Sequence, residues 1–275
     1  MNKIVSHERL NRDVVRMELE NPPIAAKRRA GQFVVIRIDE TGERIPLTLV
    51  DSDPGRGTIT LVVQAVGATT RQLFQMSAGD SLLDVAGPLG HPAPIENYGT
   101  VIAVAGGVGA AEALPVIRAL REAGNTVITI VGARSGELLI LTEELRGASD
   151  ELHICTDDGS LGKPGQVTSL LNWMINDGRI PDLVYAIGPV PMMRAVAEQT
   201  RPYGIRTLVS LNPLMVDGTG MCGCCRVTVG DQVRFACVDG PDFDAHQVDF
   251  DELVSRQRAY LTQEAEARKR AGDAR

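Results

Sequence analysis

The stretch Thr100-Val101-Ile102-Ala103-Val104-Ala105-Gly106-Gly107-Val108-Gly109 decides the fold. Its short apolar run suits a parallel strand buried on both faces, and the glycines then turn the chain into a helical segment, AEALPVIRALREA, that stops before Gly124. The pattern repeats downstream. TVITIVGA (126–133), ELHICTDD (151–158) and LVYAIG (183–188) read as strands, while QVTSLLNWMIND (166–177) and MMRAVAEQTRPYG (192–204) read as helices. Such β/α alternation implies a parallel sheet, placed here over residues 97–206.

Residues 1–96 have another rhythm. Val15, Met17 and Leu19 alternate with charged residues, and GQFVVIRI (31–38), TITLVVQAV (58–66) and DSLLDVAG (80–87) follow at short intervals. Many short strands on regular spacing suggest a closed β-barrel. The expected fold class is therefore α/β plus all-β. Residues 207–247 are rich in Gly, Asp and Cys, with too little apolar material for a core of their own. Residues 248–275 read as a charged helix and tail, with Phe250, Leu253, Tyr260 and Leu261 as apolar contacts and fraying expected after Ala265.

The chain has 275 residues, which at about 150 per domain is consistent with more than one core. Lys plus Arg is 28 against 35 for Asp plus Glu, a net charge of −7 that disfavours phosphate-backbone binding. One Trp, four Tyr and five Phe leave few platforms for stacking bases, so nucleic acid is an unlikely ligand class. No apolar run approaches membrane-spanning length, and MNKIVSHERLNRD lacks the pattern of a signal peptide. The expectation is a soluble cytoplasmic protein.

Five cysteines, 155, 222, 224, 225 and 237, are an odd number with four clustered, which argues for a metal or redox site rather than a secreted disulfide framework. Cys222 and Cys225 form C-x-x-C, Cys237 follows after eleven intervening residues, and Gly218, Gly220 and Gly223 keep the loop supple. The plant-type two-iron spacing is C-x4-C-x2-C plus a distant Cys, and Asp217 stands where its first Cys belongs. A carboxylate is a harder donor than a thiolate, so such a cluster should have a shifted potential. Zinc on three thiolates and a carboxylate, or unligated buried cysteines, remain alternatives.

Gly106, Gly107 and Gly109 sit at a strand-to-helix turn that lets backbone N–H groups approach a pyrophosphate, although the same glycines suit a plain tight turn. TDDGSLG (156–162) and IGPVPMM (187–193) also follow strands, at the carboxyl edge where open α/β sheets bind ligands. Arg44, in Arg44-Ile45-Pro46-Leu47-Thr48, is placed to clamp a diphosphate or is a surface Arg beside an edge strand. Cys155 reads as a strand-buried thiol, His246 as a surface or interface residue, and Trp173 as core.

Together, R-x-P-L-T, V-G-x-x-T, the GGVG turn, the TDDGS and GPxPMM loops and the Cys-rich C-terminus resemble the ferredoxin-NADP reductase superfamily. They look like its flavin and iron-sulfur branch, which includes the electron-transfer subunit of dihydroorotate dehydrogenase. The C-terminal stretch with aspartate in place of the first cysteine is similar to the small subunits of NADH-dependent reduced ferredoxin:NADP oxidoreductases, also described as sulfide dehydrogenase small subunits. The resemblance covers about residues 2–260. It implies that Arg44, Pro46, Leu47 and Thr48 hold FAD, with Gly67, Thr69 and Thr70 near its diphosphate. It places Gly106, Gly107 and Gly109 against NAD(H), Arg134 at the adenosine end, and Asp157, Asp158, Gly188, Pro189 and Met192 at the nicotinamide half. Asp217, Cys222, Cys225 and Cys237 become the ligands of a 2Fe-2S cluster. No side chain is then needed as a strong acid or base.

The implied function is a relay from NAD(H) through FAD and the cluster to a larger glutamate-synthase-like flavoprotein with iron-sulfur clusters, and through it to ferredoxin, with electron bifurcation. An electron-transfer subunit of another oxidoreductase, of dihydroorotate dehydrogenase, sulfide dehydrogenase or hydrogenase type, is the alternative; a non-catalytic zinc scaffold is the alternative from another class. Two departures stand out. Cys224 replaces a common small residue and offers a spare ligand, and Glu112 replaces a common proline after the glycine turn, where a carboxylate repels a phosphate placed too close.

Overall fold

The computed structural model describes residues 2–270. The N-terminal part is antiparallel: β1 (Asn2–Arg9), β2 (Val14–Glu20), β3 (Phe33–Arg37), β4 (Ile45–Thr48), β5 (Asp51–Asp53), β6 (Thr58–Gln64), β7 (Ser81–Leu82) and β8 (Asp84–Leu89), with short helices α1 (Pro22–Ala25) and α2 (Ala68–Gln75). They form a five-stranded sheet, β5-β6-β2-β1-β7, and a three-stranded sheet, β4-β3-β8. The barrel is thus two sheets closed over one core. The inward residues of β2 pair with those of β6, Met17 opposite Leu61 and Leu19 opposite Ile59. They bury with Ile4, Val34, Ile36 and Leu73.

The central part contains β9 (Thr100–Gly106), α3 (Gly109–Glu122), β10 (Thr126–Ala133), α4 (Thr142–Ala148), β11 (Glu151–Thr156), β12 (Lys163–Pro164), α5 (Val167–Asn176), β13 (Leu183–Ile187), α6 (Val190–Thr200) and β14 (Arg206–Ser210). The C-terminal part adds β15 (Arg226–Val229), β16 (Gln232–Phe235), β17 (Asp242–Asp244), α7 (Phe250–Gln257) and α8 (Leu261–Arg270). One seven-stranded sheet runs β12-β11-β10-β9-β13-β14-β17 and is parallel except for β17. The helices cover both faces: α3 and α4 pack in one core cluster, α5 and α6 in the other. The chain leaves β9 in one direction and returns to its other side at β13, so the topological switch point lies between Gly106 and Gly188.

Strand β14 straddles the boundary expected after residue 206, because its buried Thr207–Ser210 continue the parallel sheet. The Gly- and Cys-rich segment solves its lack of a core by borrowing one. Cys225, Val227, Ala236, Cys237, Phe243, Val248, Phe250 and Leu253 join the cluster formed by Val104, Ile130, Val184 and Val209 of the sheet. The register of β17 on β14 places Phe243 opposite Val209.

Three readings from the sequence change. Trp173 is 47 % exposed rather than core: the buried stripe of α5 is Val167, Leu170, Leu171, Met174 and Ile175, and the indole lies off it, with the Lys163 ammonium 3.9 Å from its ring centre. Phe250 and Leu253 are buried as expected, but Tyr260 and Leu261 are half exposed. Helix α8 continues through Arg270 where fraying was expected after Ala265; residues 271–275 lie outside the described residues. His246 is half buried, its Nε2 2.9 Å from Thr200 Oγ1 and its carbonyl accepting from Arg201, and so ties its loop to the end of α6.

Candidate functional site

At the switch point the backbone turns without side chains in the way. Gly107 takes φ +59° and its N–H donates to the Gly132 carbonyl at 2.9 Å. A Cβ on Gly109 would stand 2.6 Å from the Ile187 carbonyl oxygen, and one on Gly106 2.6 Å from Met192 Sδ. Only glycine lets β9, β13 and the start of α3 approach this closely. Above them opens a cleft of about 580 Å3 lined by Gly106, Gly107, Gly109, Arg134, Asp157, Gly188, Pro189 and Met192. Eight residues expected from separate loops therefore meet in one place. Asp158 does not join them: its carboxylate accepts from the Ser160 amide and hydroxyl, at 2.9 and 2.6 Å, and these hydrogen bonds lower its pKa.

The cleft also takes residues no local motif announced. Asn11 and Gln64 come from the barrel and Asn212 from the segment after β14, where its amide donates to the Gly188 carbonyl. They become neighbours only through domain packing. Glu112, in the first turn of α3, lines the same cleft, and burial raises its pKa to about 7. Cys155 sits at the cleft's edge, 1 % exposed, its thiol pushed up to about 11 by burial and then by Asp157.

A second cleft, about 740 Å3, brings Arg44 and Pro46 together with Gly67, Thr69 and Thr70 at the N-terminus of α2. Pro213–Val216, Cys224 and, from the C-terminal segment, Tyr260, Gln263 and Glu264 line it as well. Leu47 and Thr48 do not line it; they face Val34 and Phe33 across the β3–β4 ladder, and Leu47 packs on the barrel core. Arg44 and Asp217 both line a third cleft, about 490 Å3.

The cysteine loop presses on the barrel. Gly218, at φ +76°, has no room for a Cβ, which would meet Leu89 Cδ1 at 2.7 Å and Val35 Cγ2 at 2.9 Å. Asp217 organises the loop by accepting from the Thr219 amide and hydroxyl and, at 2.8 Å, from the Cys222 amide, which holds its carboxyl below the usual range. Cys225 and Cys237 are buried together, the Cys237 amide donating to Cys225 Sγ at 3.4 Å. Burial, and then Cys225, pushes the Cys237 thiol up to about 12. Cys222 is exposed and Cys224 half buried. Among the described residues no three His, Cys, Asp or Glu side chains already converge as for a metal ion. The donor set itself, three thiols and a carboxylate on a glycine-rich loop with amide donors to sulfur and oxygen, has the chemistry of an iron-sulfur cradle.

Comparison with known proteins agrees with this architecture. Residues 2–93 match the oxidoreductase FAD-binding domain, and residues 212–249 match the iron-sulfur cluster binding domain of dihydroorotate dehydrogenase B. Fold and matched domains define an electron-transfer oxidoreductase subunit with FAD-binding and iron-sulfur-binding domains. The chain is 47 % identical over 264 residues to the Thermotoga maritima protein named dihydroorotate dehydrogenase B (NAD(+)), electron transfer subunit homolog, covering 96 % of this chain and 93 % of that one. It is 32 % identical to the Enterococcus faecalis dihydroorotate dehydrogenase B electron transfer subunit, over 90 % of this chain and 97 % of the other. It belongs to the family of dihydroorotate dehydrogenase B electron-transfer subunits and their homologues. A solved chain from the NADH-dependent reduced ferredoxin-NADP oxidoreductase, described in connection with flavin-based electron bifurcation, superposes with a TM-score of 0.93 at 45 % identity over 99 % of this chain and 98 % of that one. No described helix is long and apolar enough to cross a membrane.

Proposed function

We propose that this chain is the small subunit of an NADH-dependent, electron-bifurcating reduced ferredoxin:NADP oxidoreductase, taking electrons from NAD(H) and passing them to a larger glutamate-synthase-like flavoprotein. When bound, FAD supplies the exchange between hydride and single electrons, and a 2Fe-2S cluster supplies a one-electron carrier. The observation that carries this reading is the seating of the cysteine loop directly on the flavin-binding barrel, Gly218 against Val35 and Leu89, with Arg44 and Asp217 lining one cleft.

Each part of the chain has a distinct task in this reading. The glycine turn and Arg134 bind the dinucleotide across the sheet edge, with Gly188, Pro189 and Met192 against its nicotinamide half. Arg44 and the N-terminus of α2 hold the flavin diphosphate. Asp217, Cys222, Cys225 and Cys237 ligate the cluster, so the cluster side of the relay lies where the loop meets the barrel. The coarser statement, a flavin and iron-sulfur electron-transfer subunit, follows from the family; likeness to the solved oxidoreductase and Asp217 in place of a cysteine support the finer one.

The names of the curated relatives favour a second reading, supply of electrons to a dihydroorotate dehydrogenase. An anaerobic absorption spectrum of the purified chain, before and after NADH and then NADPH, tests the relay. Flavin bands with a broad iron-sulfur shoulder, bleached by NADH, are expected. A chain that stays colourless after reconstitution with iron, sulfide and FAD overturns it. The protein that co-purifies with the chain decides between the two acceptors.

A further inference from the structure

Neither matched domain includes the C-terminal helices: the FAD-binding match ends at residue 93 and the iron-sulfur match at residue 249. Yet α8 lies against α2, and Tyr260, Gln263, Glu264 and Ala267 line the 740 Å3 cleft together with Arg44 and Gly67–Thr70. Tyr260 stands in the break between α7 and α8, 49 % exposed and, among the described residues, the one aromatic side chain lining that cleft. The stretch from Asp249 to Gln257 is spent on packing, through Phe250 and Leu253; the stretch after it is not. That leaves a ring presented to a ligand-sized cleft rather than to the core.

We propose that Tyr260 is the platform on which the adenine of FAD stacks, and that the start of α8 forms the adenosine end of the flavin site. This deepens the proposed function and rests on its reading of the Arg44 cleft as the flavin diphosphate site. The diphosphate belongs at the cationic end, beside Arg44 and the α2 N-terminus. The flavin half must run from there toward the dinucleotide cleft, which leaves the adenosine half for the remaining wall. The chemistry of that wall suits a nucleoside. Tyr260 offers a flat π-face, Gln263 an amide that both donates and accepts at a purine edge, and Glu264 a carboxylate that accepts from ribose hydroxyls.

The test is a titration of the full-length apoprotein with FAD and with FMN, read by quenching of flavin fluorescence. Tyr260→Ala weakens FAD binding about ten- to a hundredfold, the range for loss of one base–aromatic stack. FMN, which lacks the adenosine, binds the variant as it binds the parent. Tyr260→Phe retains the parent FAD affinity and Tyr260→Leu does not, because the face of the ring and not its bulk is what counts. Equal weakening of FAD and FMN, or no change in FAD affinity, overturns the platform. Arg44→Ala run alongside tells the two readings apart: if it leaves FAD affinity unchanged, the cleft is not the flavin site and the platform falls with it.

Discussion

Glu112 is a carboxyl in a cleft that by its glycines suits an anion, and the conflict is resolved by protonation. Its pKa of about 7, raised by burial, lies above the ordinary value, so the group is neutral below that pH and an anion above it. A dinucleotide diphosphate is repelled only by the ionised form. Affinity for NADH is therefore expected to be highest below about pH 7 and to fall as pH rises through it. Glu112→Gln should remove the dependence in calorimetric titrations between pH 6 and 8.5; a parent affinity that is flat over that range places Glu112 away from the diphosphate. Asp217 allows a second test on a single side chain. Its Oδ1 accepts from the Thr219 amide and hydroxyl and its Oδ2 from the Cys222 amide, an arrangement that either prepares a ligand or merely shapes the loop. Asp217→Cys is expected to retain a 2Fe-2S spectrum with a shifted midpoint potential in redox titration, and an unchanged midpoint shows that Asp217 is not a ligand.

Among the elements, α3 and the turn before it bear most on the site. Gly109→Ala forces a Cβ against the Ile187 carbonyl, which is backbone and cannot rotate away. The expected cost is about 2–3 kcal/mol in denaturant unfolding, with loss of dinucleotide affinity, because β9 and β13 must separate. Gly147, near the end of α4, is the contrasting case: a Cβ there meets nothing within 4 Å, so Gly147→Ala should be neutral or stabilising by up to about 1 kcal/mol. The elements were largely legible because their periods differ. Val101–Ala105 and Val127–Gly132 are buried on both faces of the sheet, whereas β2 of the barrel alternates from Val15 to Glu20. Trp173 misled because a large apolar residue inside an amphipathic helix is easily assigned to the buried stripe; the stripe is set by the sheet beneath, and it runs through Leu171 and Met174, leaving Asn172 and Trp173 outside it.

At the scale of the molecule, the cysteine-rich segment is held by the parallel sheet rather than by itself. Among the polar ties across that junction, Tyr185 on β13 donates its hydroxyl to Asp242 on β17 at 3.2 Å. Burial raises Asp242 to about 6 from its ordinary 3.8. The folded state then holds a proton that the unfolded chain releases, so this contribution to stability is greatest below about pH 4 and declines as pH rises to 6. Asp242→Asn should flatten that decline. By the linkage relation the parent loses on the order of 3 kcal/mol relative to the variant between pH 4 and 7.5, seen as a widening gap in melting temperature. If the two melt in parallel across that range, the carboxyl is solvated and the Tyr185–Asp242 contact adds no pH-dependent stability to the junction.

The sequence by itself determined the order of the parts: an alternating β segment, a β/α segment with a glycine turn, and a cysteine loop whose spacing and Asp217 point to iron-sulfur chemistry. These features are local, written in periods of two and 3.6 residues and in spacings of a few positions. Tertiary structure alone decided which residues share a cleft. Asn11, Gln64 and Asn212 reach the cleft at the glycine turn, and Tyr260 reaches the cleft beside Arg44, from parts of the chain far away in sequence. Their proximity depends on how the barrel, the sheet and the C-terminal helices pack, and no local pattern encodes a distance across those junctions. The same holds for the cysteine loop. Its spacing shows what it can bind, but it gains a core only by adding β17 to the edge of the parallel sheet, because its own residues bury too little apolar surface to fold alone.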